Sequence, residues 1–224
     1  MLDLIREYDV LGAFWITVQL TVYAAMGSLV IGTVVAILRV SPVRIFSWAG
    51  TMYVTVVRNT PLTLIVFFLF FCLYQLLGWH LAPVSARSST HAFVWGVIGL
   101  SLYHASFVAE ALRSGINTVG VGQAEAARSI GLDFGQSLRE VILPQAFRGA
   151  IAPLGNTMIA LTKNTTVVST IGVAEASYAM KNAIEFSPNV LYLIFAVMSL
   201  GFVVLTLPMG VLFTHVSRRL AVQR

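Results

Sequence analysis

The sequence predicts an all-α integral membrane protein with five transmembrane helices and one patterned polar loop between the third and fourth. Three observations carry this. Of 224 residues, 58% are hydrophobic and only 10% charged, where a soluble domain carries about 25% charged residues. The mean hydropathy of +0.85 is more than a small water-soluble fold can hide, because most of a small domain's surface must face water. Five stretches reach the roughly 20 residues a helix needs to cross the hydrocarbon core.

The first span covers residues 12–38, which carry no charge. It is too long for the roughly 7–15-residue core of a signal peptide. Asp3, Arg6, Glu7 and Asp9 before it are net acidic, and Arg39 and Arg44 follow it instead of a small-residue cleavage site. It stays in the membrane. Ala24, Ser28, Gly32 and Ala36 recur at every fourth position, a small-residue stripe that lets a neighbouring helix approach closely in lipid.

The second span covers residues 60–79, the third 92–112, the fourth 150–171 and the fifth 190–214. Pro61 suits the first turn of a helix, where its missing N–H loses nothing. Asn59 and Thr60 either cap that helix or reach a polar pathway. Glu110 and Arg113 are three apart near one end of the third span, a spacing that permits an ion pair on one helix. Lys163 interrupts the fourth span. A charge in a span is expensive, about 2.5–3.5 kcal/mol on insertion scales, and usually faces a polar cavity or a partner. Asn164, Thr165 and Thr166 surround it with donors and acceptors. The segment therefore reads as path-lining, against Lys163 snorkelling toward a carbonyl-rich helix end or pairing with Glu110.

Counting Lys and Arg sets the orientation, since they favour the cytoplasmic side. With the N-terminus outside and the C-terminus inside, the inner segments hold Arg39, Arg44, Arg58, Arg113, Arg128, Arg139, Arg148, Arg218, Arg219 and Arg224. The outer ones hold only Arg6, Arg87 and Lys181.

The sequence also argues against several functions. The net charge of +5 is spread between apolar runs and forms no dense patch, which argues against nucleic acid as a partner. Cys72 stands alone inside an apolar run and can form no internal disulfide. His80, His91, His104 and His215 show no metal-ligand spacing. No Gly-x-x-x-x-Gly-Lys-Ser/Thr loop is present to hold a nucleotide, and no His-Glu-x-x-His or Gly-x-Ser-x-Gly element for an intramembrane enzyme.

Residues 117–149 are too polar to span and too patterned for a slack linker. A helix through Gln123–Ile130 stops at Gly131, the residue type suited to a left-handed C′ position. Asp133 can cap a second helix, with Gln136 completing a capping box. Phe134, Leu138, Val141 and Ile142 share one face of it, and Pro144 marks its end. The expectation is two short helices joined by a tight elbow, lying parallel to the membrane on its cytoplasmic side.

The run Glu125-Ala126-Ala127, then Gly131, then Val141-Ile142-Leu143-Pro144, resembles the EAA loop of bacterial ABC importer permeases. Val141 stands where that family usually has Ile. Arg58-Asn59-Thr60-Pro61, the segment from Phe107 to Ile116, Gly122-Gln123 and Lys163-Asn164-Thr165-Thr166 resemble the branch that carries polar amino acids, most of all permeases of the actinobacterial glutamate uptake system. The resemblance implies a transport subunit in the bacterial cell membrane that is not itself an enzyme. In it Glu125, Ala126, Ala127, Gly131, Leu143 and Pro144 would dock as a coupling helix on a cytoplasmic ATPase dimer. It implies no cofactor on this chain, with ATP and Mg held by the ATPase. It also implies an extracellular solute-binding protein and a second permease, a paralogue or a second copy. Asn59, Thr60, Lys163, Asn164 and Thr165 are the path candidates. An ATP-independent secondary transporter is the rival class, against which stand the five spans and the lack of a visible repeat.

Overall fold

A computed structural model describes residues 2–220; Arg224, counted above on the cytoplasmic side, lies outside them. Every element among the described residues is helical. After a short α1 (Leu2–Glu7) come α2 (Val10–Val40), α3 (Arg44–Asn59) and α4 (Leu62–Phe67), the last continued by a π-helical segment Phe68–Leu76. Then follow α5 (Ser88–Ile116), α6 (Val121–Ser129) and α7 (Phe134–Gln136). A π-helical segment Ser137–Ile142 leads into α8 (Leu143–Asn164), continued as a 3₁₀ segment Thr165–Ile171. The chain ends in α9 (Ala176–Phe186) and α10 (Leu191–Leu220).

Three stretches are long and apolar enough to cross a membrane: α2, α5 and the stretch Pro188–Leu220 that contains α10. The pair formed by α3 with α4 and its π continuation is a fourth if it counts as one span, bent by 104° at the Thr60–Pro61 break. The 22 residues of α8 reach about 33 Å at the helical rise, but Lys163, Arg148, Asn156 and Asn164 make it the most polar of the long helices.

The core sits around α5. The small-residue stripe of α2 is buried against it: Ala24, Ser28 and Ala36 are fully buried. A Cβ on Gly32 would stand 2.6 Å from the Val108 side chain and 2.8 Å from the Ala105 carbonyl. Only glycine permits that approach, and with no hydrophobic force between helices in lipid, such close packing holds them together. The pairs Gly27–Ser101 and Gly32–Val108 make α2 and α5 parallel. Gly115 against Ala146 and Gly96 against Val168 make α8 antiparallel to α5. Gly155 against Phe213 and Ile159 against Gly210 make α10 antiparallel to α8.

Three features differ from the sequence reading. First, residues 44–59, which lie between the first two spans and carry no element in that reading, form α3, whose Gly50 and Val54 are buried while Trp48, Met52 and Val56 are exposed. Its apolar positions recur at helical spacing, but the bracketing arginines disguise them. Second, Asn59 and Thr60 do not cap α4. They close α3, with Asn59 Nδ2 donating to the Thr55 carbonyl (2.7 Å) and Thr60 Oγ1 to the Val56 carbonyl (2.8 Å). Pro61 stands just before α4 rather than in its first turn. Third, Pro144 does not end a helix. It is the second residue of α8, and the helical run from Phe134 passes through a π segment into α8 without a break. The proline therefore sits inside a continuous run, where it removes one ladder bond next to the π irregularity.

Candidate functional site

Two regions collect the singled-out residues, and they are built differently. The first is the elbow between α6 and α7, made almost entirely by local chemistry. Gly131 has φ +87°, a left-handed conformation that carries a steric penalty for any residue with a Cβ. The Leu132 N–H donates to the Ala127 carbonyl (3.1 Å) and the Gly131 N–H to the Arg128 carbonyl (3.0 Å), the paired bonds of a Schellman stop. Two residues on, the Gln136 N–H donates to Asp133 Oδ1 (2.8 Å) and the Asp133 N–H to Gln136 Oε1 (3.0 Å), so the capping box forms in full.

Ala127 is buried and Leu143 half-buried, while Glu125, Ala126, Gly131 and Pro144 are exposed. Around them Val121, Ile130 and Phe134 present apolar side chains outward, Ile130 being 78% exposed. A rigid elbow that displays carboxylate, methyl and branched apolar groups together is suited to enter a groove on another protein.

The second region is assembled from distant parts of the chain on α5. His104 is buried; its Nδ1 lies 3.1 Å from the Leu100 carbonyl and its Nε2 3.2 Å from Asn164 Nδ2. A carbonyl accepts only, so Nδ1 carries the proton and Nε2 accepts from the asparagine amide. That bond holds the last turn of α8, where it tightens into the 3₁₀ segment. Thr165 turns inward as well, fully buried with Oγ1 donating to the Thr162 carbonyl (2.8 Å). Lys163 faces the other way and is exposed, on the same side as Asn156, with Thr166 half-exposed nearby. Lys163 forms no ion pair among the described residues.

Glu110 is met by three guanidiniums. Arg39 Nη1 from α2 lies 2.7 Å from Oε1, Arg113 Nε from α5 3.2 Å from Oε2, and Arg58 Nη1 from α3 3.6 Å from Oε1. Arg58 also lies over the Phe107 ring, 5.1 Å from its centre, a cation–π contact. The Phe107 ring in turn neighbours His104, 6.0 Å centre to centre. The Arg58–Asn59 and Lys163–Asn164 elements, a hundred residues apart in sequence, are thus joined through Phe107 and His104 of one helix.

Reasoning from sequence paired Glu110 with Arg113 and missed Arg39. It also set His104 aside with the other histidines, although an ionisable group inside an apolar span is itself a signal of a polar contact. Among the described residues no group of three or more His, Cys, Asp or Glu side chains could hold a metal. Glu175, not singled out from sequence, is fully buried and caps α9, accepting from the Ser177 (2.9 Å) and Tyr178 (3.0 Å) N–H groups.

Comparison with known proteins gives these arrangements a context. Residues 28–222 match the family model described as binding-protein-dependent transport system inner membrane component. The glutamate transport system permease protein GluC of Corynebacterium glutamicum is 54% identical over 220 residues, covering 96% of each chain. The probable glutamine ABC transporter permease protein GlnM of Bacillus subtilis is 34% identical over 207 residues, covering 92% of this chain and 91% of that one. Among solved structures, an amino acid ABC transporter chain aligns with a TM-score of 0.81 at 28% identity, over 97% of both chains. A chain of the MetNI methionine ABC transporter, at 16% identity and a TM-score of 0.72, shares the fold.

Proposed function

We propose that this chain, which belongs to the family of binding-protein-dependent transport system inner membrane components, is the membrane permease subunit of an ATP-driven importer of glutamate. The observation that carries the substrate is the 54% identity over 96% of the chain to a permease named for glutamate transport. Lys163 supports it: an unpaired cation on the exposed face of α8, beside Asn156, suits an anionic solute and not a hydrocarbon surface.

In this reading the chain crosses the membrane five times, through α2, the α4 segment, α5, α8 and α10. Its N-terminus is outside and its C-terminus in the cytoplasm, following the bias of Lys and Arg. The packing directions suit this, since α2 and α5 run parallel and α8 opposes both α5 and α10. The elbow then faces the cytoplasm, where Glu125, Ala126, Ala127, Gly131, Leu143 and Pro144 dock on an ATPase dimer. ATP and Mg belong to that dimer. An extracellular binding protein delivers the substrate, and a second permease, a paralogue or another copy, completes the path. Lys163 lines that path, Asn164 and Thr165 fix its backbone from behind, and Asn59 and Thr60 lie at the bend beside it.

The test is uptake of radiolabelled glutamate by vesicles holding this chain with its ATPase, companion permease and binding protein, with glutamine, arginine and histidine as competitors. The expected result is ATP-dependent glutamate uptake that Lys163→Met reduces without loss of membrane expression. Uptake that proceeds without ATP would instead make the chain part of a secondary carrier. Uptake and substrate preference unchanged in Lys163→Met would remove Lys163 from the path.

A further inference from the structure

The charge around Glu110 does not balance. One carboxylate meets Arg39, Arg58 and Arg113, leaving two positive charges over, and the three guanidiniums are not equally satisfied. Arg39 is nearly buried and in a close ion pair, while Arg113 donates from Nε at 3.2 Å. Arg58 stands 3.6 Å off, beyond ordinary hydrogen-bond reach, and its side chain is 43% exposed. It donates no hydrogen bond to any described residue. Phe107 supports it from beneath, which holds the guanidinium in place and leaves its donors free. In front of it opens a cavity of about 360 Å³ lined by Val54, Thr55, Arg58, Asn59, Phe107 and Glu110. The planar fork of arginine matches a carboxylate through two parallel N–H···O bonds. Because the cavity lies at the Arg113 end of α5, it is on the cytoplasmic side in the orientation proposed above.

We propose that the Arg58 cavity is a carboxylate-binding site on the release side of the transport path, where the side-chain carboxylate of an acidic amino acid pauses before it leaves. The inference rests on the glutamate-importer reading and adds a second anion site to Lys163. Glu110 keeps Arg58 from binding too tightly, since its own carboxylate competes for the same guanidinium.

The experiment uses the complete transporter in proteoliposomes and measures how glutamate on the ATPase side inhibits ATP-driven uptake. In Arg58→Gln the half-inhibiting concentration should rise about tenfold or more, the size of one lost charge-assisted contact. Arg58→Lys, which keeps charge but not the fork, should shift it less. Inhibition by glutamine should move far less than inhibition by glutamate, whereas a merely structural defect would move both alike. If the wild type imports glutamate but Arg58→Gln leaves this inhibition unchanged, or if the wild type shows none, the release site is wrong and the importer reading stands. If the wild type imports no glutamate, the importer reading fails. The site is then judged by binding of glutarate to the purified complex, and binding that ignores Arg58→Gln overturns it. Should Arg58→Gln fail to assemble, Thr55→Val, on the cavity wall and outside the ion cluster, must weaken inhibition by glutamate; no change there also overturns the proposal.

Discussion

The elbow at Gly131 and the polar centre on α5 are both dense in hydrogen bonds, yet one is written locally and the other is not. The elbow's bonds join residues three to five apart: Leu132 to Ala127, Gly131 to Arg128, Gln136 to Asp133. The bonds of the α5 centre join Arg39 to Glu110 and His104 to Asn164, separated by 71 and 60 residues. A local motif can be stiff before anything docks on it, which suits a part that transmits force to a partner. A long-range polar knot has defined geometry only when several helices are seated together, which suits a part that responds to their movement.

The sharpest way to break this contrast is Gly131→Asp. Aspartate tolerates φ +87° better than most side chains, and no neighbour crowds a Cβ there, so the main change is a carboxylate placed on the docking face of the elbow. ATP-dependent uptake should be lost while membrane expression and the melting temperature of the purified chain stay near wild type. A large fall in melting temperature would mean that the elbow supports the bundle as well.

Glu110→Gln should do the reverse. It leaves three guanidiniums facing one another; since the cluster is partly open to solvent, the destabilisation is about 1–2 kcal/mol rather than the larger value of a fully buried pair. Thermal unfolding of the purified chain should show it, and added salt should recover part of the loss.

His104→Leu sharpens the comparison at smaller scale. It orphans the Asn164 amide and should lower stability by about 1 kcal/mol, the range for hydrogen bonds between helices in membranes. His104→Gln, able to donate to Leu100 and accept from Asn164, should recover most of it. Equal losses in the two variants would mean that ring packing, not the hydrogen bond, matters at this position.

Asp133→Ala is the mildest, removing one half of a capping box at an exposed helix start, a loss of about 0.5 kcal/mol at the low end for an N-cap. It should reduce the coupling of ATP hydrolysis to uptake more than it lowers the melting temperature. A melting temperature that falls as far as in His104→Leu would erase the distinction between the regions.

The same contrast explains how far the sequence could be read. Gly131, Asp133 and Gln136 were legible because caps and left-handed stops depend on residues within one or two turns. The stripe Ala24–Ser28–Gly32–Ala36 was legible as a packing face because helical periodicity alone brings it together, although not that α5 would cover it. The helix α3 went unassigned because, at 16 residues and bounded by Arg44 and Arg58, it falls short of the roughly 20 apolar residues of a span. The run through Pro144 was hidden because a proline carried inside a helical run and a proline that ends a helix look alike in one dimension.

By itself, then, the sequence determined the solvent in which this protein lives, the long apolar helices and the elbow, since each follows from composition or from contacts within a few residues. Only the tertiary structure decided which polar groups meet. It turned Asn164 and Thr165 inward and Lys163 outward, gave Glu110 to Arg39, Arg58 and Arg113, and made His104 the link to α8. Partners separated by tens of residues are chosen by how helices pack side by side, and the rotation of each helix about its axis is fixed by all its neighbours at once.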